Sequence, residues 1–146
     1  MKIYTIGFTQ KSAQLFFDLL LQHRIRLLVD IRLKPTGQLS GFAKKDDLPF
    51  FLDRLVDHCT YLHLPELAPS EEILQEYRNG KNWFKYEEQF KHLMLERNIP
   101  HTLNRKIFEE SVSCLLCSEA SPEHCHRRLV AERIAEYWSG FEIVHL

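Results

Sequence analysis

Along the chain, short hydrophobic runs typical of strands alternate with segments in which hydrophobic residues recur at helical spacing. Short runs of β-branched and aromatic residues have the composition of strands, and the stretches between them repeat apolar residues at helical spacing. The strand-like runs are KIYTIGF, RLLVDIR, TYLHL, SVSCLLCSE and FEIVHL. The helix-like runs are SAQLFFDLLLQH, LPFFLDRLVDH and PEHCHRRLVAERIAEYW. Because strands that alternate with helices form parallel sheets, the pattern predicts a three-layer, Rossmann-like α/β domain with about five mostly parallel strands.

A helical insertion interrupts this alternation between the third and fourth predicted strands. About 45 residues, from Pro65 to Glu110, contain the amphipathic segments SEEILQEYR and NWFKYEEQFKHLMLER. The aromatic and lysine residues of the second segment suit either a nucleic-acid surface or a helix that packs on the domain with its lysines in solvent. The second interpretation is favoured, because amphipathic helices of this kind are usually part of the core.

Length and composition fit one globular domain over residues 1–146 that needs no disulfides. The chain has 45% hydrophobic and 27% charged residues, four cysteines and a net charge of −1. This charge provides no overall field for nucleic acid, so nucleic-acid binding is not implied. No run suits a secretion signal or a membrane span, which leads us to expect a cytoplasmic protein with reduced thiols and no membrane contact. The sequence does not indicate an oligomeric state.

Polar or conformationally permissive residues follow the predicted strands at their carboxyl ends. Ligands of open parallel sheets bind at that edge. The residues placed there are Gly7, Phe8, Thr9, Asp30, Arg32, His63, Glu66, Cys117, Ser118 and Glu119. The sequence therefore predicts one functional site along this rim.

The segment CSEASPEHCHRR predicts the beginning of the last long helix. Ser121 is a good N-cap and Pro122 suits the first helical position, so the helix is expected to begin near Pro122. Helical spacing then places His126 and Arg127 on the face toward the sheet and Arg128 toward solvent. Because an uncompensated buried charge is costly, His126 and Arg127 should have partners in the crevice.

A metal site and a thiol nucleophile are two chemical interpretations of this segment. Cys114 and Cys117 lie on opposite faces of a strand, so they cannot share one zinc ion. A site from Cys117, Cys125 and His126 with a fourth ligand stays open, but we expect neither metal nor cofactor. Cys125 is the favoured nucleophile, because a first-turn position beside His126 and Arg127 lowers the pKa of a thiol, and Cys117 follows closely. Inert packing is the common alternative for both cysteines.

An anion site is the third interpretation and requires the fewest assumptions. Free N–H groups at the helix start, together with Arg127 and Arg32, suit phosphate, carboxylate or sulfate. An ion pair with Asp30 or Glu119 is an equally good explanation for Arg32. In the site interpretation, Glu119 and His126 would transfer protons.

Four motifs together resemble the DUF488 family, whose function is uncharacterised, over nearly the whole chain. They are YTIGFT, LVDIRLKP, YLHLPEL and LLCSEASPEHCHRRLVAERI. The positions that the resemblance shares are Gly7, Arg32, Pro35, His63, Cys117, Glu119, Cys125, His126 and Arg127. The chain departs from the family pattern at Phe8 and Thr9, where His and Ser are frequent, and at Leu67 and Ala68, where Leu-Gly is frequent.

These observations predict a protein that binds a small phosphate-bearing anion or nucleotide at the strand ends. Gly7, Thr9, Arg32, His63 and Arg127 are the expected ligand-binding residues. The expected catalytic residues, in case the protein is an enzyme, are Cys117, Glu119, Cys125 and His126. A non-catalytic binding module for nucleic acid or a protein partner is the alternative.

Overall fold

A single five-stranded parallel sheet organises the protein. The computed structural model describes all residues from 1 to 146. The strands are β1 (Lys2–Gly7), β2 (Leu27–Asp30), β3 (Thr60–His63), β4 (Ser113–Cys117) and β5 (Glu142–His145). Their order across the sheet is β3-β2-β4-β1-β5, and every neighbouring pair is parallel. The predicted Rossmann-like parallel architecture is confirmed.

Six α-helices connect the strands. They are α1 (Ala13–Gln22), α2 (Leu48–Leu55), α3 (Glu71–Gly80), α4 (Trp83–Glu96), α5 (Lys106–Glu109) and α6 (His126–Tyr137). The predicted N-cap of α1 is present, since the Ser12 hydroxyl accepts a hydrogen bond from the Leu15 N–H at 3.0 Å. No helix combines the length and apolar composition that a membrane span requires.

The sheet separates two hydrophobic cores because successive side chains of a strand point to opposite faces. Ile3, Val29 and Leu115 face a core that includes residues of α3, α4 and α6. Ile6 and Leu116 face the other core, together with α1 and α2. The two central strands β2 and β4 are consequently buried along their whole length.

The aromatic residues of α4 belong largely to the first core. Trp83, Tyr86 and Phe90 are buried, whereas Phe84 is 80% exposed. Lys85 and Lys91 form ion pairs with carboxylates of α3 and α4. The packing interpretation of this segment therefore describes the structure better than an open aromatic and basic surface.

The predicted start of the last helix near Pro122 is wrong. Helix α6 begins at His126, and Cys125 is its N-cap, with the extended angles φ −137° and ψ 138°. The Ser121 hydroxyl instead accepts the Glu123 N–H at 3.3 Å in a local turn. The buried Arg127 side chain binds carbonyl oxygens of the preceding loop, and these tertiary contacts take precedence over the local capping preference.

The connections after β2 and β4 lead to opposite faces of the sheet. The chain after β2 continues to α2 in one core, and the chain after β4 continues to α6 in the other. Because β2 and β4 are neighbours, these two connections diverge from a common point. A crevice is expected above the carboxyl ends of two such strands.

Gly7 ends β1 directly beneath the loop that follows β4. A Cβ atom at Gly7 would lie 1.7 Å from the carbonyl oxygen of Glu119 and 2.8 Å from Nη1 of Arg127. Neither the backbone oxygen nor the buried guanidinium can move away freely. Only glycine allows β1 and this loop to approach so closely.

We expect Gly7→Ala to destabilise the protein by about 3 kcal/mol, because the added methyl group overlaps backbone atoms of the loop. Gly37→Ala is the matched control, since a Cβ at Gly37 meets no atom within 4 Å and its φ of −75° suits alanine. Denaturant unfolding monitored by circular dichroism measures both variants. Equal stability of the two variants would show that the loop adapts to a side chain at Gly7.

Candidate functional site

A cavity of about 680 Å³ opens above the carboxyl ends of β2 and β4. Its walls come from both strand ends, from α3 and α4, and from the loop that leads into α6. Five of the predicted site residues line it, namely Arg32, Cys117, Glu119, Cys125 and His126. The other predicted residues, Gly7, Thr9, His63 and Arg127, lie outside its lining.

Arg32 forms a bidentate ion pair with the fully buried Asp30. Its Nε donates to Oδ1 at 2.8 Å and its Nη2 donates to Oδ2 at 2.7 Å. The hydroxyl of Tyr61 donates to the same carboxylate at 2.5 Å, and the Ala43 carbonyl accepts from Nη2 at 2.7 Å. The ion-pair explanation for Arg32 thus accounts for one side of the guanidinium.

The other side of the Arg32 guanidinium is a donor without an acceptor. Nη1 is buried and forms no hydrogen bond. Arg32 as a whole is 6% exposed and lines the cavity. The guanidinium carbon lies 5.1 Å from the centre of the Phe8 ring, which supports the cation on an aromatic face. Because an unmet buried donor is costly, Nη1 is suited to an oxygen acceptor supplied by a ligand.

Cys117 and His126 form a thiol–imidazole pair on the cavity floor. The Sγ of Cys117 lies 3.2 Å from Nδ1 of His126. The opposite ring nitrogen, Nε2, lies 2.7 Å from the carbonyl oxygen of Ile31. Since a carbonyl only accepts, Nε2 carries the hydrogen and Nδ1 is free to take the thiol proton. The thiol, the imidazole and the carbonyl that orients the ring therefore form one connected chain of contacts, an arrangement typical of activated thiols.

The surroundings of Cys117 favour its thiolate form. Burial raises the pKa of the Cys117 thiol, but hydrogen bonding by the Cys125 thiol and by the backbone of Ser118, with the charge of Arg127, outweighs burial. The pKa of Cys117 therefore lies below its ordinary value. Burial and the contact with Cys117 instead raise the pKa of Cys125 well above the ordinary value.

The structure thus favours Cys117 over Cys125 as the nucleophile, whereas the sequence placed Cys125 slightly ahead. The preference for Cys125 assumed a position inside the first helical turn. Cys125 is instead the N-cap residue, and burial and its contact with Cys117 raise the pKa of its thiol.

Arg127 supports the site from within the fold. It is fully buried, and its guanidinium donates to Oγ1 of Thr5 at 3.2 Å, to the Glu119 carbonyl and to the Ala120 carbonyl at 3.2 Å. The sequence predicts that Arg127 has a partner in the crevice; its partners are instead a hydroxyl and two backbone carbonyls within the fold. No carboxylate forms an ion pair with Arg127, so its positive charge remains to stabilise the nearby Cys117 thiolate.

Thr9 and His63 lie outside the cavity and contact the backbone of residues that line it. Thr9 donates to the Ser118 carbonyl from its backbone N–H at 3.1 Å and from its hydroxyl at 2.7 Å. The Nε2 of His63 lies 2.7 Å from the Arg32 carbonyl. Both residues position cavity-lining residues, which is a different task from the ligand binding predicted for them.

The cavity wall also contains cations and aromatic residues that were not predicted as ligand-binding residues; they come from α3, α4 and the adjoining loops. Arg78 and Lys81 line it without an ion pair, whereas Lys34 pairs with Glu71 at 2.9 Å. Tyr77, Tyr86 and His124 complete this wall. The aromatic and lysine residues of the insertion suggested either a nucleic-acid surface or packing on the domain, but neither pattern shows which strand ends the insertion covers.

The site supplies one protein ligand too few for a structural zinc ion. One ligand atom each of Cys117, Cys125 and His126 lie within 4.8 Å of one another, and the group contains no fourth histidine, cysteine or carboxylate. Structural zinc sites almost always have four protein ligands in a tetrahedron. Cys114 faces the opposite core and cannot complete the set.

Comparison with known proteins gives one match. The model of a family described as a domain of unknown function, DUF488, matches residues 12–134. The matched range includes every residue of the cavity lining. Searches of curated proteins and of solved structures found no match.

We expect iodoacetamide to alkylate Cys117 first, with a rate that remains high as the pH falls below about 8.5, the ordinary thiol pKa. Cys59 is the internal reference, because burial raises its pKa to about 12. Mass spectrometry of peptides after timed alkylation between about pH 6 and pH 9 measures each thiol separately. A Cys117 rate that rises tenfold per pH unit over this range would contradict the proposed thiolate.

We expect Arg127→Met to destabilise the protein by about 2 to 4 kcal/mol, since it leaves the partly buried carbonyls of Glu119 and Ala120 without their donors. The neighbouring Arg128 pairs with Glu132 at 2.8 Å near the surface. Arg128→Met should therefore cost less than about 1 kcal/mol. Chemical denaturation compares the two variants, and equal losses would remove Arg127 from its supporting role.

Proposed function

The chain belongs to the DUF488 family, and from the geometry of its cavity we propose that it binds a small phosphate-bearing anion at the carboxyl ends of the strands. The observation that carries this proposal is the unpartnered Nη1 of Arg32. A phosphate or carboxylate oxygen is the acceptor that a guanidinium binds best. Asp30 holds the rest of the side chain in place, so the donor is ready before a ligand arrives.

The cavity wall supports an anionic ligand in preference to a cationic one. Arg78 and Lys81 lie opposite the strand ends and form no ion pairs, and the only unpaired carboxylate in the lining is that of Glu119. These cations concentrate anions at the entrance, while Arg32 provides the directed contact. The overall charge of −1 makes this attraction local to the cavity.

We further propose that Cys117 attacks the bound ligand. Nδ1 of His126 takes the thiol proton, and Sγ bonds to an electrophilic phosphorus or carbon of the ligand while the bond to the leaving group breaks. The leaving group receives the proton from Nδ1. Water then attacks the intermediate, one water proton returns to Cys117, and the hydroxyl leaves with the product. Glu119 is an exposed carboxylate at the cavity and can assist proton transfer in either step.

Inorganic phosphate should raise the thermal midpoint of the wild-type protein above its value in chloride at equal ionic strength. A ligand that binds only the folded state adds about 2.7 kcal/mol at a hundredfold excess over its Kd. Arg32→Lys keeps a cation beside Asp30 but lacks the free Nη1. We expect this variant to bind phosphate at least about tenfold more weakly, which corresponds to the loss of one charged hydrogen bond.

Arg26→Lys is the matched control for this experiment, because Arg26 pairs with Asp57 at 2.8 Å on the surface and away from the cavity. It should retain the full phosphate response. The proposal fails if phosphate stabilises Arg32→Lys as strongly as the wild-type protein, or if it stabilises neither.

A further inference from the structure

Two of the four cysteines meet at the cavity from different elements. Cys117 is the last residue of β4, and Cys125 is the N-cap residue of α6. Their sulfur atoms and a ring nitrogen of His126 lie within 4.8 Å of one another, and both thiols are free. Both side chains line the cavity and are only 4% and 2% exposed, so the cavity is the side from which a small reagent would approach them.

We infer that Cys117 and Cys125 are a peroxide-sensitive thiol pair, in which a hydroperoxide oxidises Cys117 and Cys125 traps the product as an intramolecular disulfide. This inference does not depend on the anionic ligand proposed above. It assigns different tasks to the two thiols, because Cys117 ends a strand with its Sγ 3.2 Å from Nδ1 of His126, whereas Cys125 lies at the end of a loop.

The reaction balances in two steps. The Cys117 thiolate attacks one oxygen of hydrogen peroxide, the O–O bond breaks, hydroxide leaves, and Cys117 becomes a sulfenic acid. The Cys125 sulfur then attacks the Cys117 sulfur, and the sulfenic oxygen leaves with the Cys125 thiol proton as water. The peroxide is reduced and the two thiols are oxidised by two electrons. A small dithiol such as dithiothreitol reverses the change by thiol–disulfide exchange.

The position of Cys125 suits the second step. A disulfide requires an S–S distance of about 2.05 Å, so the two sulfur atoms must approach each other. The side chain of Cys125 forms no capping hydrogen bond, and the loop before it consists of turns and bends. Cys117 is held in the sheet, so the inferred disulfide requires the Cys125 side chain to rotate toward it.

The other two cysteines, Cys59 and Cys114, are internal controls for the oxidation of the pair. Cys59 and Cys114 belong to the core on the opposite face of the sheet. Burial raises the pKa of Cys59 to about 12 and that of Cys114 well above its ordinary value. Both should remain reduced while the pair reacts, because the thiolate is the form that peroxide oxidises.

The test treats reduced wild-type protein with a small excess of hydrogen peroxide and maps its peptides without reduction. We expect a monomer that has lost two hydrogen atoms, with one disulfide between Cys117 and Cys125, and complete reversal by dithiothreitol. Cys125→Ser should stop at the sulfenic acid of Cys117, captured by a cyclic 1,3-diketone. Cys59→Ser is the matched control and should form the same disulfide as the wild-type protein.

The wild-type peptide map decides the inference even if a variant folds poorly. A disulfide that includes Cys59 or Cys114, a disulfide between two chains, or direct conversion of Cys117 to the sulfinic acid would each overturn it. Persistence of both free thiols at a peroxide dose that oxidises a free cysteine peptide would overturn it as well.

Discussion

The buried guanidinium of Arg127 is the interaction on which the site depends. It connects Thr5 in β1 to two carbonyl groups of the loop between β4 and α6. Gly7 leaves the space that this contact requires, and Thr9 binds the same loop from the other side. The loop is therefore fixed directly after Cys117. A charge without a carboxylate partner also lies close to this thiol, which lowers the free energy of the thiolate.

The second arginine of the site, Arg32, divides its donors between the fold and the cavity. Asp30 and Tyr61 form a buried network that fixes the guanidinium, and Nη1 is buried without a hydrogen-bond partner. Phe8 adds an aromatic face on which this guanidinium lies. Arg127 thus stabilises the loop, and Arg32 is the residue that we propose contacts the ligand.

Much of the fold and part of the site could be predicted from the sequence. Hydrophobic runs give the five strands, and the helical stripe correctly places His126 and Arg127 inside and Arg128 at the surface. The start of α6 could not be predicted, because Ser121 and Pro122 are good capping residues whose preference yields to the contacts of Arg127. Nor does the pattern show which acceptors Arg127 binds, since two of its three partners are backbone carbonyls that have no signature in the sequence.

The central claim is that a free donor of Arg32 and a reactive thiolate of Cys117 serve one cavity. The most direct measurement is the alkylation rate of Cys117 at increasing inorganic phosphate, at constant ionic strength and pH. Phosphate bound at Arg32 blocks access to Cys117 and repels its thiolate, so the account predicts a saturable decrease in rate. It also predicts an unchanged rate for Cys59. A Cys117 rate that is independent of phosphate, in protein that phosphate stabilises, would place the anion site elsewhere and contradict the account.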